Sequence, residues 1–183
     1  GLDAETMLAE LKGHRSDDAS WRNGRMFGYI YHPGNREAKA IEQAYQLFLN
    51  ENALNPSLFS SLRHLENETV AMVADLLHAG DGCAGNLTTG GSESILVAVK
   101  TERDWARKHK PEIREPEIIA PVTPHPAFSK SAYMTGVRAR YAPVTEDKRV
   151  DVAEMEKLIN RNTIAITASA PCFPYGVIDP IEE

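Results

Sequence analysis

A chain of 183 residues, 42% hydrophobic and 25% charged, has the composition of an ordinary globular protein, long enough for one domain or one domain and a short arm. Its two cysteines, Cys83 and Cys172, cannot build a disulfide framework and read as reduced thiols. With 20 basic against 26 acidic side chains the formal charge is -6, which argues against a nucleic-acid partner, because neutralising phosphates needs a basic surface.

No apolar run reaches the roughly 18–20 residues of a membrane span. Residues 1–11 alternate charges with leucines and lack the apolar core of a signal peptide, so the expectation is a soluble, cytoplasmic protein. Leu2, Met7, Leu8 and Leu11 suit a short amphipathic helix closed by Gly13. After a polar stretch, residues 24–34 are rich in aromatics and glycines, which reads as a loop. Its aromatic side chains either face outward towards a partner or pin the loop from inside.

Helical periodicity begins after Gly34. Ala38, Ile41, Tyr45, Phe48 and Leu49 form one stripe, and Leu62, Leu65, Thr69, Met72, Val73 and Leu76 form a second, stopped by Gly80. Beyond Gly80 the pattern turns to strands and helices in alternation. Residues 86–89 are a short β-prone run, followed by a helix carrying Ile95, Leu96, Val99 and Trp105. Residues 117–122 read as a buried strand, and the next helix is bracketed by Pro126 and Gly136. Val137, Ala139 and Tyr141 alternate as a strand face; Val152, Met155, Leu158 and Ile159 give a helix; residues 163–168 give a last strand. Such alternation indicates βαβ units in a largely parallel sheet, hence an α/β fold.

Three stretches could carry chemistry. In Thr88-Thr89-Gly90-Gly91-Ser92-Glu93-Ser94 a double glycine and a hydroxyl residue open a helix, an arrangement that suits a phosphate. Glycines let backbone N–H groups approach the anion, and the helix N-terminus adds partial positive charge. The competing reading is a tight turn with Ser92 as a plain N-cap. The run fits neither the P-loop nor the dinucleotide fingerprint, so ATP and NAD are not expected. His125, in Pro124-His125-Pro126-Ala127-Phe128, falls just past a strand end, where α/β sheets place ligands. There an imidazole can stack on a flat ring or shuttle a proton; the competing reading is a solvent-exposed loop histidine. No histidine or cysteine spacing suggests a metal site. Cys172, in the last stretch, Ser169-Ala170-Pro171-Cys172-Phe173-Pro174-Tyr175-Gly176-Val177-Ile178-Asp179-Pro180, lacks an identifiable base and reads as a packing cysteine.

These motifs in this order, with Arg161-Asn162-Thr163 between the last two, resemble the sphingosine-1-phosphate lyase family. That family lies in the group II decarboxylase branch of the fold-type I enzymes that use pyridoxal 5′-phosphate (PLP). The resemblance runs from about Gly28 to the end of the chain. It implies an N-terminal helical arm with the first amphipathic helix over residues 1–60, and the first part of a PLP-binding large domain over residues 61–183. It implies that Gly91 and Ser92 hold the PLP phosphate and that His125, the catalytic-site histidine, stacks on the pyridine ring. Tyr31 corresponds to an aromatic residue that binds the substrate phosphate from the neighbouring subunit of a homodimer with shared active sites. Asn55 stands where the family carries a histidine that contacts the same phosphate; it can donate a hydrogen bond but brings no charge. The family's ring-nitrogen aspartate and Schiff-base lysine belong to His-x-Asp-Ala and His-Lys motifs further along, and neither falls within these 183 residues. Lys130 lies in a different motif and is not a substitute. The implied activity is carbon–carbon lysis: retro-aldol cleavage of a phosphorylated sphingoid base to a long-chain aldehyde and phosphoethanolamine. The alternatives are decarboxylation of an L-amino acid, for which the substrate is a small amine precursor, and a non-catalytic fragment of the same fold.

Overall fold

The computed structural model describes every residue of the chain except Gly24, Arg25, Phe27 and Asp81, so part of the aromatic and glycine loop lies outside the described residues. The chain divides into two compact units, residues 1–65 and residues 66–183.

The first unit holds helices α1 (Ala4–His14) and α2 (Asn35–Leu47) and a single 3-10 turn, Trp21–Asn23. Asp3 caps α1: its carboxylate accepts the Thr6 amide at 2.9 Å and the Thr6 hydroxyl at 2.7 Å. Neither helix buries a residue. Ile41 and Tyr45, on the predicted stripe of α2, are half or more exposed. The aromatic loop faces outward at Tyr29 and Tyr31, while Trp21 packs edge-on against His32 with ring centroids 5.3 Å apart. Helix α3 (Ser60–Leu76) carries the boundary between the units.

The second unit is built on three parallel strands, β1 (Glu117–Pro121), β2 (Arg138–Ala142) and β3 (Thr163–Ile166), in the order β2-β1-β3. Around them lie α4 (Gly91–His109), α5 (Ala127–Thr135) and α6 (Val152–Leu158). The central strand is buried at all five positions, as a continuous apolar run in a covered parallel sheet should be. Successive side chains of β1 point to opposite faces. Ile118 joins Val99 of α4 and Ala132 of α5, whereas Ile119 joins Val150 and Met155 of α6.

The chain steps from β1 to β2 through α5, then returns past β1 to β3 through α6. Parallel crossovers are right-handed, so reversing the direction of travel moves the helix to the other face of the sheet. Helix α5 ends as its sequence suggested: Gly136 adopts the left-handed conformation (φ 68°), and Val137 N–H donates to Ala132 O at 2.9 Å.

Two expectations need correction. Residues 86–89 form no strand, because a strand needs a neighbour and the Leu87 amide donates instead to the Glu66 carboxylate at 3.2 Å. Strand β3 stops at Ile166, two residues early, although the Thr167 amide still donates to Ile119 O at 2.8 Å. Trp105 lies off the buried face of α4, half exposed and stacked on His109 at 4.6 Å between ring centroids.

Candidate functional site

Helices α4 and α5 lie side by side and run the same way. Near their C-termini, Arg103 donates to Thr135 O at 2.8 Å. Near their N-termini, Ile95 and Phe128 pack on the same apolar cluster. Both helices therefore begin at the carboxyl edge of the sheet, which brings the Gly90-Gly91-Ser92 turn and the His125 loop to one side of the unit. This is the edge at which open α/β sheets bind ligands.

The start of α4 differs from the other two helices of the sheet. Asp151 caps α6 by accepting the Glu154 amide at 3.0 Å. At α5 the Ala127 amide is taken by His125 Nδ1 at 3.1 Å. Helix α4 begins at Gly91 after Gly90, with no side-chain cap. Ser92 is thus in the first turn and not the N-cap. The free amides at a helix N-terminus carry partial positive charge directed outward. A Cβ placed on Gly90 or Gly91 would meet nothing within 4 Å, so the space in front of those amides is open. Uncapped donors facing open space fit a phosphate group.

The residues around the turn hold its shape. Thr88 and Ser94 share a hydroxyl hydrogen bond at 2.6 Å, and Thr88 also donates to Gly90 O at 3.1 Å. The Glu93 carboxylate reaches back to accept the Thr89 hydroxyl at 2.6 Å and the Thr89 amide at 2.7 Å. Those bonds, the hydroxyl first and the amide second, lower the Glu93 pKa from its ordinary value. The one carboxylate in the first turn is thereby drawn towards Thr89 and away from the free amides. Position Glu93 was visible in the sequence, but the Thr88–Ser94 pair required the turn to be formed.

His125 is exposed on the loop after β1. The Ala127 amide donates to its Nδ1, and that bond orients the ring. An oriented imidazole suits contact with a flat ring better than a freely rotating one would. Among the described residues, no group of three His, Cys, Asp or Glu side chains could hold a metal ion.

Tyr31 and Asn55 belong to the first unit. Tyr31 is fully exposed. Asn55 organises the turn ahead of α3: its Oδ1 accepts the Ser57 amide at 3.0 Å, and its carbonyl accepts the Leu58 amide at 3.0 Å. That turn uses the acceptor of the side chain and leaves its amide donors, the half that could meet a phosphate.

Cys172 is buried, with its amide donating to Val177 O at 2.9 Å, which suits packing. A cavity of about 610 Å³, lined by Met155, Ile159, Ile166 and Ile181 among others, lies on the α6 face and contains none of these residues. Asp179 is the residue near this edge that sequence reading passed over. Its role depends on partners 10 and 29 residues away, which no local pattern reveals.

No family model matches the chain. The sphingosine-1-phosphate lyase of Arabidopsis thaliana is 41% identical over 192 residues, which cover all of this chain and 35% of that protein. The solved sphingosine-1-phosphate lyase of Burkholderia pseudomallei K96243 superposes with a TM-score of 0.90 at 36% identity, over 99% of this chain and 43% of that one. A probable L-tyrosine/L-aspartate decarboxylase of Methanothermobacter thermautotrophicus is 37% identical over 164 residues, 90% of this chain and 43% of that protein. The chain spans about a third of the length of the curated lyases it matches. Its likeness to sphingosine-1-phosphate lyases thus extends over its whole length, and its mixed α/β fold with a parallel sheet is theirs.

Proposed function

We propose that this sphingosine-1-phosphate lyase-like chain carries the cofactor-holding residues of a PLP-dependent carbon–carbon lyase. Its substrate is a phosphorylated sphingoid base, cleaved by a retro-aldol step to a long-chain aldehyde and phosphoethanolamine. The observation that carries this reading is the whole-length similarity to the lyases, 41% in the plant protein, with all four motifs in place. The open, uncapped start of α4 supports it independently.

When bound, PLP supplies the electron sink that cleavage of the Cα–Cβ bond requires. Gly91 and Ser92 would hold its phosphate through backbone amides and the Ser92 hydroxyl, aided by the helix dipole. His125, oriented by its bond from the Ala127 amide, would orient the ring through its face. Tyr31 and the Asn55 amide would donate to the substrate phosphate. Two uncharged donors bind a dianion more weakly than a cation would, so affinity at that end depends on geometry and not on charge. The working assembly is a cytoplasmic homodimer with shared active sites, in which Tyr31 serves the neighbouring subunit and the stripe of exposed Ile41 and Tyr45 with half-buried Phe48 supplies apolar contact area.

A second reading, L-amino-acid decarboxylation, is favoured by the decarboxylase relative at 37% identity. The two share every cofactor-holding residue and differ in the bond that breaks. Incubating the full-length PLP-loaded protein with a phosphorylated sphingoid base, and separately with aromatic and acidic amino acids, decides between them. Aldehyde release without carbon dioxide is expected; carbon dioxide release alone would replace the lyase reading with the decarboxylase one.

A further inference from the structure

Asp179 is a buried carboxylate, 2% exposed, whose two side-chain hydrogen bonds both come from backbone amides. Its Oδ1 accepts the Val150 amide at 2.9 Å and its Oδ2 accepts the Ser169 amide at 2.8 Å. Its own amide donates to Ser169 O at 2.9 Å, so Asp179 and Ser169 hold each other by two bonds. One side chain therefore joins three segments: the loop before α6, the ribbon after β3, and the last turn of the chain described. Inside the Ser169–Asp179 clamp a second pair of bonds, Cys172 N–H to Val177 O and Gly176 N–H to Cys172 O, both 2.9 Å, closes the turn.

The ribbon held in this way, residues 167–170, leaves β3 at the carboxyl edge of the sheet. Thr167 N–H donates to Ile119 O at 2.8 Å, which keeps it alongside β1. Ala165, just before the ribbon, packs on the cluster that includes Ile95 of α4. The ribbon thus lies at the carboxyl edge of the sheet, the edge at which α4 begins and the His125 loop leaves β1. An apolar side chain could fill the same space. A carboxylate is retained where two backbone donors must be held in fixed directions.

We propose that Asp179 is a positioning residue for the cofactor edge: through Ser169 it fixes the ribbon 167–170 relative to the Gly90-Gly91-Ser92 turn and the His125 loop. The inference rests on reading that edge as the PLP site.

The test uses the full-length protein and Asp179→Asn, which keeps the shape but offers an amide N–H where a second acceptor is needed. The control is Ile119→Ala, a core change on the α6 face. PLP affinity is measured by titrating cofactor absorbance, and stability by apo-protein melting. Asp179→Asn is expected to weaken PLP binding tenfold or more and to shift the bound cofactor's spectrum. Ile119→Ala, at a comparable loss of melting temperature, should change affinity less than threefold. Equal effects of the two variants, or an unchanged spectrum in Asp179→Asn, would reduce Asp179 to a structural residue and overturn the inference. Should Asp179→Asn not fold, hydrogen exchange on the wild type decides: removing PLP should raise deuterium uptake in peptides covering residues 167–171, and unchanged uptake overturns the coupling. A wild-type protein that binds no PLP at all would overturn the cofactor reading and this inference with it, a result distinct from the other two.

Discussion

The unit of residues 66–183 and the unit of residues 1–65 place their apolar residues in opposite ways. In the former, β1 is wholly enclosed and its two isoleucines anchor separate clusters on the two faces of the sheet. In the latter, α1 and α2 bury nothing, and the stripe that periodicity predicted for α2 lies open. The difference separates the candidate site residues into two kinds. Gly91, Ser92 and His125 are themselves exposed, but they stand at the ends of elements packed within their own unit. Tyr31 and Asn55 sit among exposed helices and loops, so what they do depends on what covers that surface. Sites on packed elements are held more closely than sites on open ones.

The largest expected effect tests the enclosed side of this comparison. Ile119→Ala should cost about 3 kcal/mol, since it removes a fully buried side chain from a cluster that can only partly close. Ile41→Ala, on the open stripe, should cost less than about 1 kcal/mol in dilute protein. Urea denaturation midpoints of the two variants measure the contrast. If the α2 stripe forms the dimer contact, Ile41→Asp should also halve the mass seen by light scattering, and Ile119→Ala should not. Equal costs at both positions would erase the distinction between the units.

Gly91→Ala sharpens the comparison within the packed unit, at smaller size. A methyl group there meets no protein atom, and alanine favours a helix over glycine by up to about 1 kcal/mol. The apo protein should therefore melt at the same temperature or slightly higher. The same methyl would enter the space in front of the uncapped amides. PLP affinity, read from absorbance titration, should fall tenfold or more, about 1.4 kcal/mol. Unchanged affinity would mean that no ligand uses that space.

How much of this was legible beforehand depended on the range of the interactions. Helix α5, with Pro126 at its start and Gly136 in the left-handed position at its end, could be read because both signals are local. The β1 run could be read because enclosure on both faces leaves an unbroken apolar segment. The Gly90-Gly91-Ser92 turn was legible as the opening of a helix, though which residue capped α4 was not, because glycine and serine both serve as caps. Residues 86–89 failed because a strand is defined by a partner, and β-propensity carries no information about one. Asp179 and Glu117 were invisible for a common reason: each is explained by groups brought near only by folding.

Glu117 gives the smallest effect, and it probes the sheet edge opposite the one where α4 and α5 begin. Its carboxyl pKa lies below the ordinary 4.5, first because the Asn160 side chain donates to it at 2.8 Å and then because Arg138 does at 3.3 Å, with the charge of Arg140 adding to both; burial opposes the shift. Between the lowered folded value and the unfolded one, the unfolded chain binds more protons, so stability rises with pH across that window. The contribution is complete above about 4.5 and is lost as pH falls through the folded value. Glu117→Gln keeps one acceptor for Asn160, removes the charge and turns an N–H donor towards Arg138. Because Arg138 is largely exposed, the loss at pH 7 should be about 1 kcal/mol. Denaturation curves at pH 7 and at a series of pH values below 4.5 should show the two proteins separated at neutral pH and converging in acid. A constant gap across the series would mean that the arginines do not act through the Glu117 charge, and that the strand start is held by shape alone.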